Sequence, residues 1–119
     1  MNVEILHVHN HGNQNEEYVF IKVLEDCDIG EYMLADSTYT QGGKISNKVR
    51  HTYWFPDKKV KKGEFVSLWT CKGENTEGKT KSGSKIHRFY WGLDSAVWND
   101  EGDCALLFHV AEYSDHRAK

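Results

Sequence analysis

Residues 18–24 read Tyr-Val-Phe-Ile-Lys-Val-Leu, a run in which aromatic and β-branched side chains follow one another with no helical gap. Such residues fit a pleated surface and lose rotamer freedom in a helix, so the run predicts a strand. The same signal recurs along the chain. It predicts strands over Val3 to Val8, Tyr32 to Asp36, His51 to Phe55, Glu64 to Cys71 and Cys104 to Val110. Arg88-Phe89-Tyr90-Trp91 reads as a further short strand or as the end of a loop. Between these runs lie turn residues: Asn10 to Asn15, Asp28-Ile29-Gly30, Gln41 to Lys44, Asp57 to Gly63 and Asn99 to Asp103. Pro56 stops the fourth strand because it has no N–H for a ladder. Residues 72–85 hold three glycines and no apolar residue larger than Thr, and predict a mobile surface loop. Leu106, Val110 and Tyr113 also fit a helical stripe, so a short C-terminal helix is an alternative there.

Each such strand has one apolar face and cannot bury it alone, so two sheets must close on each other. The expectation is an all-β sandwich forming one domain over residues 1–119, with its core between about 3 and 110 and a polar tail at 111–119. A chain of 119 residues is one domain's worth. The expected core comprises Val19, Ile21, Leu34, Phe55, Val66, Leu68, Trp98, Leu106 and Phe108.

The turns and strand cores together resemble the lamin tail domain family. Four segments carry the resemblance in order: Glu17 to Lys22; Ile29-Gly30-Glu31-Tyr32-Met33-Leu34-Ala35-Asp36; Tyr53-Trp54-Phe55-Pro56 with Val60 to Trp69; and Trp98 to Leu107. The chain departs from the family where Tyr32 stands for its usual Trp, where Lys22-Val23 replaces Ile-x-Asn, and where His109 to Tyr113 replaces its closing turn. The resemblance implies an immunoglobulin-like β-sandwich acting as an interaction module, with protein, nucleic-acid and surface binding among the family's themes. Heptads are absent, so a free-standing, bacterial-type member is implied rather than a filament protein.

Net charge is −3 overall but segmented: −7 over residues 1–43, +8 over 44–88 and −4 over 89–119. The plain reading is charge pairing across neighbouring strands. The sharper one is a basic face for a polyanion such as nucleic acid, with Lys58, Lys59, Lys61 and Lys62 at its centre and Lys72, Lys79, Lys81 and Lys85 extending it. The three cysteines have no CxxC spacing and read as free thiols. No run approaches the ~18 apolar residues of a membrane helix, and Met1 to Gly12 lack the marks of a secretory signal. The expectation is a cytoplasmic protein.

His7, His9 and His11 form an HxHxH pattern that a strand would turn to one face, where imidazoles can ligate a transition metal if another ligand joins them. The alternative is a polar outer face on an edge strand. Tyr53-Trp54 and Tyr90-Trp91 are adjacent aromatic pairs, and alternation places one ring of each outside, making Trp54 and Trp91 candidate platforms for a partner. No catalytic set is legible. Ser82, Ser84 and Ser95 lack a nucleophile elbow, Cys71 and Cys104 fall on strands, and Gly42-Gly43-Lys44 lacks phosphate-loop spacing. The reading is a non-enzymatic module without a cofactor, binding another protein. Polyanion binding through 44–88 and a metal at the histidine strand are the alternatives.

Overall fold

The computed structural model describes residues 1–99 and 102–119. The sequence-predicted turn at Asn99 to Asp103 therefore lies partly outside the described residues. The chain is all-β, with ten strands among the described residues. In order these are β1 (Val3–His9), β2 (Tyr18–Val23), β3 (Cys27–Asp28), β4 (Tyr32–Thr38), β5 (Thr52–Trp54), β6 (Lys59–Val60), β7 (Phe65–Trp69), β8 (Thr76–Lys79), β9 (Lys85–Tyr90) and β10 (Asp103–His109). Among the described residues a single 3₁₀ turn, Ile29–Glu31, joins β3 to β4. The strands form a five-stranded sheet ordered β1-β2-β7-β9-β8, a three-stranded sheet ordered β10-β4-β5, and a small β3-β6 pair.

Alternation sets which side chains meet between the layers. Val19, Ile21 and Val23 of β2, Val66 and Leu68 of β7, and Phe89 of β9 face inward from the larger sheet. Tyr32 and Leu34 of β4 meet them from the smaller one, with Phe55, Val97 and Trp98 closing the ends. Seven of the nine expected core residues are buried. Leu106 and Phe108 are not core: β10 pairs with β4 so that Leu107 lies opposite the buried Leu34, while Phe108 lies opposite Met33 on the outer face. Inward-facing positions of β10 are therefore Ala105 and Leu107, because pairing partners share a face and a one-residue slip exchanges the faces.

Residues 72–85 correct a second expectation. Instead of an unstructured loop they carry β8, which turns back at Lys79 to Lys85 and pairs antiparallel with β9. β9 thereby inserts between β8 and β7 and runs parallel to β7. Composition concealed this strand because all four β8 residues, Thr-Glu-Gly-Lys, are polar or glycine, as suits an exposed sheet edge. The C-terminal stretch forms no helix; β10 ends at His109, and Val110 donates its N–H to the Glu31 carbonyl.

Two polar devices and two glycine turns fix the ends of the layers. Glu17 is fully buried, and its carboxylate accepts from the Gly12 N–H at 2.9 Å, the Val97 N–H at 2.8 Å and the Thr70 hydroxyl at 2.5 Å. It thus joins the β1–β2 turn, the end of β7 and the segment leading to Trp98. Asp36, 1% exposed, accepts from the His51 N–H and pairs with Arg50, which also reaches Asp103 at 2.7 Å. Asp103 first, and Asp36 with it, holds the Arg50 guanidinium above its usual pKa against the opposing effect of burial. Gly30 allows the 3₁₀ turn to press against the segment after Pro56: a Cβ there would fall 2.8 Å from the Asp57 Cα. Gly63 adopts φ +87°, a conformation that side chains resist.

Candidate functional site

Both layers carry apolar side chains on faces that alternation would leave to solvent. On the three-stranded sheet, cross-strand pairing aligns Phe108, Met33 and Trp54 in one row across β10, β4 and β5. Phe108 is 41% and Trp54 47% exposed. Trp54 keeps its indole N–H on the Gly30 carbonyl at 2.8 Å, which fixes the ring against the sheet, and Tyr113 from the tail meets it edge-on at 5.0 Å. Beside this row Met33, Val49, Thr52, Phe108 and Val110 line an open groove of about 560 Å³. Val49 is also exposed. The groove lining carries one carboxylate, Glu112, and one imidazole, His109, which lies 3.4 Å from Glu31.

The outer face of the five-stranded sheet is aromatic. His9, Tyr18, Trp69 and Tyr90 form a continuous stack across β1, β2, β7 and β9, with successive ring centroids 4.7, 4.4 and 6.1 Å apart. A second group, His7, Phe20 and Phe65, runs beside it at 5.2 and 5.0 Å. Such cross-strand ring pairs each stabilise a sheet by a few tenths to about 1 kcal/mol.

The histidine pattern takes its place in this array through a β-bulge. Ile5 pairs with Ile21 but His7 pairs with Phe20, so Leu6 is the extra residue and His7 and His9 turn outward. Their rings lie 6.2 Å apart, packed on Phe20 and Tyr18. His11 falls beyond β1, in the turn. Among the described residues, no group of three or more His, Cys, Asp or Glu side chains is arranged to hold a metal.

The remaining expected residues are distributed differently from one another. Trp54 is an exposed ring on a sheet face. Trp91 is not a free platform: it is half-buried against the core, with its N–H on the Thr52 carbonyl at 3.1 Å and its ring near Tyr53 and Trp98. Three of the four clustered lysines have a carboxylate within reach, while Lys59 and Lys62 stay largely exposed. Lys58 binds Glu77 at 2.6 Å, and Lys59 and Lys62 lie 3.8 Å from Asp28 and Glu25. Hydrogen bonds from Lys58 and then Lys85 hold the exposed Glu77 carboxyl down to about 2. Of the four ammonium groups only that of Lys61 has no carboxylate partner among the described residues, although the Lys61 backbone N–H donates to Glu64 at 3.0 Å. Burial pushes the thiols of Cys27 and Cys104 up, and all three cysteines are free. That is the opposite of nucleophile activation.

The sequence reading missed the aromatic outer face of the larger sheet. Its signal was present: in Tyr18 to Val23 and in Phe65 to Trp69 both parities are apolar or aromatic, although a half-exposed strand needs only one. No protein-family model matches the chain, and no curated protein matches it. No helix among the described residues is long and apolar enough to cross a membrane.

Proposed function

We propose that the protein is a non-enzymatic interaction module of the lamin tail domain kind, with an immunoglobulin-like sandwich, that binds another protein through the outer face of its three-stranded sheet. One observation carries this reading: the apolar row of Phe108, Met33 and Trp54, with the two outer rings exposed, and its adjoining groove. Contiguous apolar surface on a small domain is costly to leave in water and is typical of protein interfaces, whose centres are rich in Trp, Phe and Met and poor in charge. Trp54 is held in place by its bond to Gly30, so little side-chain entropy remains to be lost on association.

In this reading the four motif segments each fall on a structural unit of the fold. They coincide with β2, with the Gly30 turn and β4, with the β5 to β7 unit, and with β10 together with the residues before it. Gly30 and Gly63 occupy positions with a steric reason for glycine.

A photo-crosslinking residue in place of Phe108 tests the function. In extract from the native source it should capture one reproducible polypeptide, and the additional change Met33→Asp should abolish capture. Capture that is indifferent to Met33→Asp, or no adduct at all in a folded variant, refutes the proposed face.

A further inference from the structure

We infer that the outer face of the five-stranded sheet is a second binding site, for single-stranded nucleic acid. The site is a groove of about 560 Å³ on the side of the sheet away from the core. Ser67 and Ile86, both buried, lie at its base, and the half-buried rings of Tyr18, Phe20 and Trp69 line it. Trp69 donates its indole N–H to the Ser67 hydroxyl at 3.1 Å, which orients the largest ring over the groove. The β8–β9 hairpin supplies the far wall, with Lys79 and Lys81 exposed on it.

Charge selects the ligand. Three cations border the groove, Lys79, Lys81 and Arg88, and none has a carboxylate partner among the described residues. This contrasts with Lys58 and Lys85, which share Glu77. Glu16 is the one carboxylate among the described lining residues, and it is already bonded to the Asn13 amide. Arg88 is placed by a local device: its guanidinium lies across Gly78 of the edge strand, where an added Cβ would fall 2.3 Å from Nη1. A residue with a side chain at position 78 would push the guanidinium off the sheet. The guanidinium thus lies over the edge strand at the groove's border, with its donors unused by any hydrogen bond among the described residues.

Rings interleaved with unpaired cations on an open sheet face are the physical recipe for a single strand. Bases find π faces, and phosphates find Lys and Arg along the rim. A duplex, whose bases are already stacked, gains only the charge contacts. An acidic peptide likewise gains the charge but has few planar groups to stack. Within the basic 44–88 segment, this inference seats the phosphates on Lys79, Lys81 and Arg88, beside the rings, rather than on Lys58 to Lys62. This site is on the opposite layer from the proposed protein-binding face, and the two stand or fall separately.

The test is fluorescence anisotropy with labelled oligothymidylate and oligouridylate of about 12 nucleotides at about 50 mM salt. Binding of either is expected, with log affinity falling by about 2 per tenfold rise in salt for three phosphate contacts on a single strand. Loss of one stacked base should make Trp69→Ala weaker by roughly 5- to 150-fold. The double variant Lys79→Glu/Lys81→Glu, on an exposed hairpin that does not touch the core, should weaken binding by at least about tenfold if Trp69→Ala fails to fold. Trp54→Ala, on the other layer, should bind as the parent does. Three results overturn the inference: no binding of either strand, equal binding of a duplex or of oligoglutamate, or affinity unchanged in the folded groove variants.

Discussion

Replacing Glu17 with alanine should remove much of the domain's stability, although the residue touches no proposed binding surface. The carboxylate is fully buried and accepts from Gly12, Val97 and Thr70. Gly12 is in an exposed turn and can rehydrate once its acceptor is gone. Val97 and Thr70 are buried at 4% and 0% exposure and cannot do so readily. Each buried donor left without a partner costs about 1–3 kcal/mol. With the small cavity added, the loss should be about 3–5 kcal/mol. A domain of this size has roughly 5–15 kcal/mol in total, and each kcal/mol is worth about 4 °C. Thermal denaturation followed by circular dichroism should therefore show Tm falling by about 12–20 °C. Glu17→Gln should lose about half as much, because one oxygen survives while the amide N–H₂ opposes a donor. Glu16→Ala, its exposed neighbour, should change stability by less than about 0.5 kcal/mol. A Glu17→Ala melt within about 3 °C of the parent would refute the view that this carboxylate ties three segments together.

Two further predictions follow from the strand parities and the ion pairs. Leu107→Ala should destabilise by about 2–3 kcal/mol in urea titration, whereas Phe108→Ala should cost under about 1 kcal/mol; the reverse order would show that β10 is in the other register. Glu77, exposed and bonded first by Lys58 and then by Lys85, should titrate near 2 by carbon-detected NMR, and Lys58→Ala together with Lys85→Ala should return it to the ordinary carboxylate range. Its folded pKa is lowered, so any stability it contributes is present above the unfolded value near 4.5 and is lost as pH falls toward 2. High salt should shrink the effect, and a Glu77 midpoint at its ordinary value at low salt would refute the pairing.

Much of this architecture is legible from residue types alone. In β2 and β7 the aliphatic residues occupy one parity and the rings and polar residues the other, so the inward Val19, Ile21, Val66 and Leu68 follow from the sequence, and Gly30, Pro56 and Gly63 mark the turns between elements. β10 is harder, because Ala105, Leu106, Leu107 and Phe108 are all apolar and both parities look like a core face. Its register is set by β4, where Leu34 is inward, and that information is not in the strand itself. β8 is invisible for the converse reason: its four residues have no apolar face, and it exists because β9 offers an edge. The candidate surfaces divide in the same way. Trp54 is readable because it stands between Tyr53 and Phe55, so alternation turns it to the face opposite theirs. The groove beside Trp69 requires β1, β2, β7, β8 and β9 at once, and only the sheet order brings Lys79 and Arg88 to Tyr18.

The bulge at Leu6 gives the first strand one residue more than the span it covers on its neighbour. Loss of a single residue between Glu4 and His7 can therefore be absorbed: the surplus vanishes, Val3 and Val8 keep their partners, and the ring stack that begins at His9 is undisturbed. The adjacent strand, Tyr18–Val23, has no such slack, since it pairs residue for residue with Phe65–Trp69. A codon lost there would send Val19 or Ile21 to the outside and a tyrosine or phenylalanine into the core. Length variation in descendants of this chain is thus permitted at one edge of the larger sheet and forbidden one strand further in.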